Sequence, residues 1–176
     1  MNRIGGLLAN KDNRRMILAL LVLAAAIAGI TLWRSDPRMI NRRFNRLVTL
    51  MEKKTGEKPL AMLARTREIS EFLAVDVEVR LGPPLPVVAG RKELVGVIQQ
   101  FRAGISRLEI KIRDRSLTVA PDRLTAVMRI TAEAEVEAQG DRGRDIRELE
   151  VEWAKESGAW LIRKVALVET IRRPPQ

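Results

Sequence analysis

Asp76, Glu78 and Arg80 alternate along one short stretch, so in an extended strand all three side chains fall on one face. Two carboxylates beside a guanidinium are the least equipment that general acid and base work needs. Glu133, Glu135 and Glu137 repeat the spacing, as do Glu148, Glu150 and Glu152, and ladders of this kind have the oxygen chemistry of a hard-cation site. Each set also has a plainer explanation. Alternating polar residues form the wet face of a strand, and Arg129, Arg147, Arg163 and Lys164 are at hand to neutralise the glutamates. The plainer explanation is adopted for all three, and no catalytic residue, metal or cofactor is expected. The chain has no histidine, tyrosine or cysteine, which removes the commonest acid-base group, the phenolic donor and every thiol ligand. No phosphate cradle, P-loop or nucleophile elbow is present.

The element that dominates the chain lies well before these residues. Met16 to Trp33 is a run of eighteen residues without a charge, proline or amide side chain. At about 1.5 Å per helical residue it reaches roughly 27 Å, close to the ~30 Å hydrocarbon core of a bilayer. A buried core helix would carry a polar stripe, and only Thr31 and Trp33 offer polar atoms. A cleavable signal is a stronger rival: Arg14 and Arg15 make a basic start, Met16 to Ala25 an apolar core, and Ala26-Ile27-Ala28 a small-residue site. Cleavage there would leave Gly-Ile-Thr-Leu-Trp as an apolar new terminus, so an uncleaved signal anchor is preferred. Basic residues nearly balance across the span, with Arg3, Lys11, Arg14 and Arg15 before it and Arg34, Arg38, Arg42, Arg43 and Arg46 after it. A short tail that stays inside needs no translocation, which favours a cytoplasmic N-terminus and a C-terminal domain outside the cytoplasm.

The net charge of +10 is unevenly spread. Residues 34–67 hold +7, residues 68–176 are neutral, and the N-terminal tail supplies the remaining +3. Each basic group beside an anionic leaflet contributes about 1 kcal/mol to surface binding. Arg38, Arg42, Arg43 and Arg46 are therefore expected at the lipid surface. No basic and aromatic interleaving, helix-turn-helix or finger spacing accompanies the charge, and nucleic acid is not expected as a partner.

Beyond the anchor, Ser35-Asp36-Pro37 reads as a cap with proline at the first helical position. Ile40, Phe44, Leu47, Val48 and Met51 then recur at helical spacing. Pro59 opens a second helix through about Leu73, with Leu63, Ile69, Phe72 and Leu73 buried. Val75, Val77, Val79 and Leu81 alternate with charge as a strand, broken by Gly82-Pro83-Pro84, and a short return strand follows at Val87 and Val88. A third helix runs from Arg91 to about Gly104, burying Leu94, Ile98, Phe101 and Ile105. The rest is strand-like: Leu108 to Val119; Leu124 to Ala138; a strand bearing Leu149, Val151 and Trp153 after a loop at 140–143; and Trp160 to Ile171 after a turn at Glu156-Ser157-Gly158. The last strand is apolar on both faces, so it reads as a central strand whose outer side needs a cover. Trp160, Ile162, Arg163, Val165 and Leu167 are the expected contact residues for a protein partner or a second copy. A rival assignment is a pocket lined by Asp76, Arg80, Met128 and Trp153.

The order of elements, the Gly90-Arg91-Lys92-Glu93-Leu94 helix opening, the Trp153 strand and the Gly158-Ala159-Trp160-Leu161-Ile162 final strand together resemble the nuclear transport factor 2-like, or SnoaL-like, superfamily over about Pro37 to Ile171. The resemblance implies an α+β cone in which a strongly bent antiparallel sheet wraps around three helices, often with a pocket at its open end. Members include isomerases and hydrolases as well as non-catalytic proteins, among them a membrane-tethered scaffold subunit of bacterial secretion systems. Catalytic members place Asp, His or Tyr in the pocket, and no such His or Tyr exists here to match. The expected organisation is a basic tail at 1–15, a transmembrane signal anchor at 16–33, the folded domain at 34–171 and a C-terminal tail at 172–176. The expected function is a non-catalytic scaffold or assembly domain at a bacterial-type cytoplasmic membrane, with a ligand-binding or enzymatic SnoaL-like pocket domain as the alternative.

Overall fold

A computed structural model describes residues 35–168. The chain divides into two compact units, Met1–Arg38 and Met39–Gln176. The anchor expected at 16–33 and both tails lie outside the described residues. Among the described residues, no helix is long and apolar enough to cross a membrane.

Among the described residues, three helices and six strands follow one another as α1 (Asp36–Met51), α2 (Pro59–Ser70), β1 (Leu73–Arg80), β2 (Val88–Ala89), α3 (Arg91–Gly104), β3 (Arg107–Val119), β4 (Thr125–Ala138), β5 (Asp141–Glu156) and β6 (Ala159–Leu167). The strands form one curved sheet in the order β2-β1-β6-β5-β4-β3. The sheet is mixed rather than wholly antiparallel, because β1 lies parallel to β6. That pairing is possible because the whole α3-β3-β4-β5 segment separates the two strands, long enough to return the chain in the same direction.

Turn chemistry sets the long hairpins. Gln139 and Gly140 have φ of 52° and 91°, and Ser157 and Gly158 have φ of 48° and 84°. Two consecutive positive φ values are the signature of the two-residue turn whose twist matches that of its strands. The first turn is therefore tighter than the loop expected at 140–143, and Asp141, Arg142 and Gly143 already belong to β5.

Bulges decide which side chains face inward. On β3 the register with β4 shifts between Ile112 and Asp114, leaving Arg113 without an opposite number. The extra residue reverses the alternation, so Ile112 before it and Leu117 and Val119 after it all pack toward the core. A second shift, opposite Glu152 and Trp153, leaves Arg163 extra on β6. Ile162 and Val165 thus share the inner face, although strict alternation would set them on opposite sides.

The three helices cover that inner face. Ile40, Phe44 and Leu50 of α1, Ile69 of α2 and Leu94 of α3 join Val77, Met128, Ile130, Val151, Trp153, Trp160 and Ile162 of the sheet in one buried cluster. Each large apolar side chain taken from water contributes about 1.5–3 kcal/mol, so this layer is the main source of stability.

Candidate functional site

The residues expected to line a pocket do not converge. Met128 and Trp153 are core residues, 0% and 1% exposed. Asp76 and Arg80 lie on the solvent side: Asp76 accepts from Arg163 at 2.9 Å, and Arg80 pairs with Glu78 on its own strand. Trp153 Nε1 is buried without a hydrogen-bond partner.

The expected contact face on β6 is corrected in the same way. Trp160 and Ile162 are 1% and 2% exposed. Val165 packs against the same cluster, and Leu167 sits opposite Leu149 with its side chain over Gly82. Of the five residues assigned there, Arg163 alone is exposed. The cause is the bulge, which turns Val165 inward, together with β1, which flanks β6 and completes its hydrogen bonding.

The basic face of α1 is partly committed to the fold. Arg46 makes a two-pronged pair with Glu68 of α2, at 2.7 and 2.9 Å, which holds the Glu68 carboxyl below its usual range. Arg43 stacks over the Phe72 ring at 4.6 Å and donates to the Glu71 carbonyl oxygen at 2.8 Å. Burial lowers its pKa, partly offset by the charge of Glu71. Arg38 and Arg42 are exposed on the same helix.

The outer face of the sheet is a lattice of paired charges. Lys164 holds Glu152 at 2.9 Å, Arg129 holds Glu150 at 2.8 Å, and Lys111 reaches both Glu109 and Glu135 at 3.4 Å. Glu133 sits at its centre, 1% exposed, clasped by Arg144 of β5 and by the bulged Arg113 of β3. Hydrogen bonds from Arg144 first and Arg113 second lower its carboxyl pKa. Glu150 and Glu152 of the expected ladder belong to this lattice, and Glu148 beside them is exposed. Arg147, expected to serve the ladder, instead bonds Asp145 at 2.6 Å and the Leu81 carbonyl oxygen at 3.1 Å. Among the described residues, no group of three or more His, Cys, Asp or Glu side chains is placed to hold a metal ion.

Two features escape the sequence pattern, both on α3. Arg102 is fully buried; it pairs with Glu57 at 2.7 Å and donates to the carbonyl oxygens of Leu50, Met51 and Glu52 where α1 ends. Lys53 reciprocates, donating to the carbonyl oxygens of Arg102 and Ile105 at 2.6 Å where α3 ends. A cation at each helix C-terminus satisfies carbonyls that have no partner inside the helix. The inward stripe of α3 is therefore Leu94, Ile98, Arg102 and Ile105, and Phe101, expected to be buried, is 43% exposed. The second feature is the consequence: Val97, Gln100, Phe101, Gly104 and Ile105 line a shallow surface groove of about 400 Å³.

No protein-family model and no curated protein sequence matches the chain. Solved structures do. A nuclear transport factor 2-like protein with a cystatin-like fold from Novosphingobium aromaticivorans is 16% identical, with a TM-score of 0.54 over 94% of each chain. A protein described as a candidate dehydratase of the nuclear transport factor 2-like family from Streptomyces avermitilis is 13% identical, with a TM-score of 0.59 over 75% of this chain and 94% of that one. A candidate calcium/calmodulin-dependent protein kinase II association domain from Xanthomonas campestris is 14% identical, with a TM-score of 0.59 over 77% of this chain and 89% of that one. At such identities the likeness is one of fold, and the chain has the fold of nuclear transport factor 2-like proteins.

Proposed function

We propose that this chain is a non-catalytic protein-contact module, held at a membrane by residues 16–33 and acting as a scaffold or assembly domain. The observation that supports the reading is the filling of the sheet's inner face. Met128, Trp153, Trp160 and Ile162 pack against Ile40 and Phe44 in the space where a hollow cone would receive a ligand. The carboxylates at hand are engaged in ion pairs on the opposite, outer face.

One observation favours the alternative, a ligand-binding or enzymatic pocket. Trp153 Nε1 is a buried donor without a partner, the kind of group that a bound molecule would satisfy, and one similar structure is described as a candidate dehydratase. Two measurements separate the readings. Carbonate washing of membranes carrying the full-length chain is expected to leave it in the pellet, and a photo-crosslinker at the exposed Arg163 position is expected to yield a discrete protein adduct. Release of the unprocessed chain would remove the tether. Absence of any adduct, together with thermal stabilisation by small carbonyl or hydroxy compounds, would move the assignment to the pocket.

A further inference from the structure

We propose that the outward face of α2 is a membrane-surface site, at which Leu60 and Leu63 enter the headgroup region of an anionic bilayer and Lys54, Lys58 and Arg67 meet lipid phosphates. The inference rests on the reading of a membrane-held contact module and names the face that lies on the lipid. Leu60, Leu63, Ala64 and Arg67 recur at the spacing that sets them on one side of a helix. That side faces away from the core. Leu60 is 81% exposed and Leu63, expected to be buried, is 50% exposed, whereas Thr66 and Ile69 carry the buried side. Nine residues of helix, about two and a half turns, set Leu60 opposite Ile69. Neither leucine joins the core cluster or packs against it.

Charge identifies what covers this stripe. Lys58 is the N-cap residue of α2, Lys54 opens the turn before it, and Arg67 stands in the last turn, so cations bracket the leucines at both ends. All three are exposed, and among the described residues no carboxylate lies within ion-pair distance of them. The neighbouring acids are engaged elsewhere: Glu57 is held by Arg102 and Arg65, and Glu68 by Arg46. Glu71 lies eleven residues beyond Leu60, about 16 Å along the axis, where its charge acts on Arg43. A lysine at a helix N-terminus opposes the helix dipole, and here no first-turn acid and no side-chain cap offsets it. The free N–H groups of that first turn and the two ammonium groups together suit an anion. Apolar side chains bracketed by cations match the layering of an anionic bilayer, acyl chains beneath phosphates. On the membrane-held reading the chain brings that surface with it, because only Arg34 and Ser35 separate residues 16–33 from α1 in the sequence. A tether of this kind makes even a weak surface contact intramolecular. The outer face of the sheet, with its lattice of paired charges, is left free for protein contact.

The chain has no cysteine, so one introduced thiol can carry an environment-sensitive fluorophore at a chosen position. Full-length Leu60→Cys, so labelled and reconstituted in phosphatidylglycerol vesicles, is expected to emit blue-shifted light and to be quenched by nitroxide-labelled lipid. In phosphatidylcholine vesicles it should emit as in water. Ile146→Cys is the control: Ile146 is 53% exposed but stands opposite Glu133 on the outer face of the sheet, and its probe should emit as in water in both lipids. Lys54→Gln together with Lys58→Gln should lower the ratio of docked to undocked chains about fivefold for each charge removed, while the thermal melt stays that of the parent. Water-like emission from Leu60→Cys in both lipids overturns the proposal. Equal quenching in both lipids, or at both positions, overturns it as well, because the contact would then ignore charge or face. A Leu60 probe that is water-like in vesicles but crosslinks to an acidic protein in native membranes would give the face to that protein instead. A chain that resists carbonate washing yet fails these tests loses this site alone, whereas carbonate release of the unprocessed chain overturns the membrane-held reading beneath it.

Discussion

Two arginine–glutamate assemblies lie on opposite sides of the sheet, alike in chemistry and unlike in what surrounds them. On the helical side, Arg102 and Glu57 have side chains 0% and 6% exposed, and the guanidinium also closes the end of α1. On the outer side, Glu133 is itself only 1% exposed, but the arginines that cover it, Arg113 and Arg144, have side chains 55% and 58% exposed. Losing Arg102 inside leaves the carbonyl oxygens at the end of α1 short of a donor away from water and leaves the buried Glu57 with Arg65 alone, at 3.2 Å. Losing an outer arginine instead removes the cover over Glu133 and lets water reach its carboxylate. The difference teaches that burial, and not the number of ion pairs, decides what an ion pair is worth here. Arg102→Met should therefore be the most damaging charge removal in the domain, costing about 3–5 kcal/mol in denaturant unfolding. A loss below about 1 kcal/mol, the ordinary size for a surface pair, would break the comparison. Glu57→Gln keeps the shape and some hydrogen bonding, so a smaller loss of about 1–3 kcal/mol is expected by the same measurement.

The outer assembly should respond to solution conditions where the inner one does not. Arg144 and Arg113 lower the Glu133 pKa in the folded chain, so the folded value lies below the unfolded one. The stabilisation is then fully present above the unfolded carboxylate pKa of about 4.3 and is lost as pH falls through the folded value. Thermal melts of Glu133→Gln against the parent should differ at pH 7, begin to converge as pH falls below the unfolded value, and converge in part in 1 M salt, which screens the exposed arginines. A difference that persisted at both low pH and high salt would mean that Glu133 acts through packing rather than charge.

Much of this architecture is legible in periodicity, and the failures have a common cause. The helix starts near Pro37, Pro59 and Arg91 and the hairpin at Ser157-Gly158 follow from local rules, because a proline or a glycine of positive φ constrains the chain at its own position. The inner face of β5 is equally plain, since Val151 and Trp153 alternate without interruption. What misleads is parity. One extra residue at Arg163 reverses the alternation along β6, and no property of that arginine in the sequence announces it. Val75, on the apolar side of the alternation with Val77, is 70% exposed because the pairing of β1 with β6 shifts between Leu73 and Glu78. On α3 the apolar stripe read through Phe101 is displaced by Arg102, an inward cation that becomes intelligible only when the ends of α1 and α3 are side by side. Contacts between residues some fifty positions apart leave no periodic trace.

Arg46 sharpens the comparison because it crosses the two categories. It lies in the helical layer, as Arg102 does, and joins α1 to α2 through both oxygens of Glu68, yet its side chain is 54% exposed. If membership of the helical layer set the value of an ion pair, Arg46→Gln would approach the Arg102→Met loss. If burial sets it, water replaces the lost partner on each side and the melt of Arg46→Gln should be barely distinguishable from that of the parent, the smallest effect in the series. The same engagement bears on the lipid surface. A guanidinium already held by a carboxylate presents little net charge to an anionic bilayer, whereas Glu68→Gln frees it. Binding of the domain to vesicles with anionic headgroups should accordingly rise in Glu68→Gln and fall by a comparable amount in Arg46→Gln, which leaves the Glu68 carboxylate unpaired. An equal fall in both variants would show that the Arg46–Glu68 pair positions α2 for the contact instead of masking a charge.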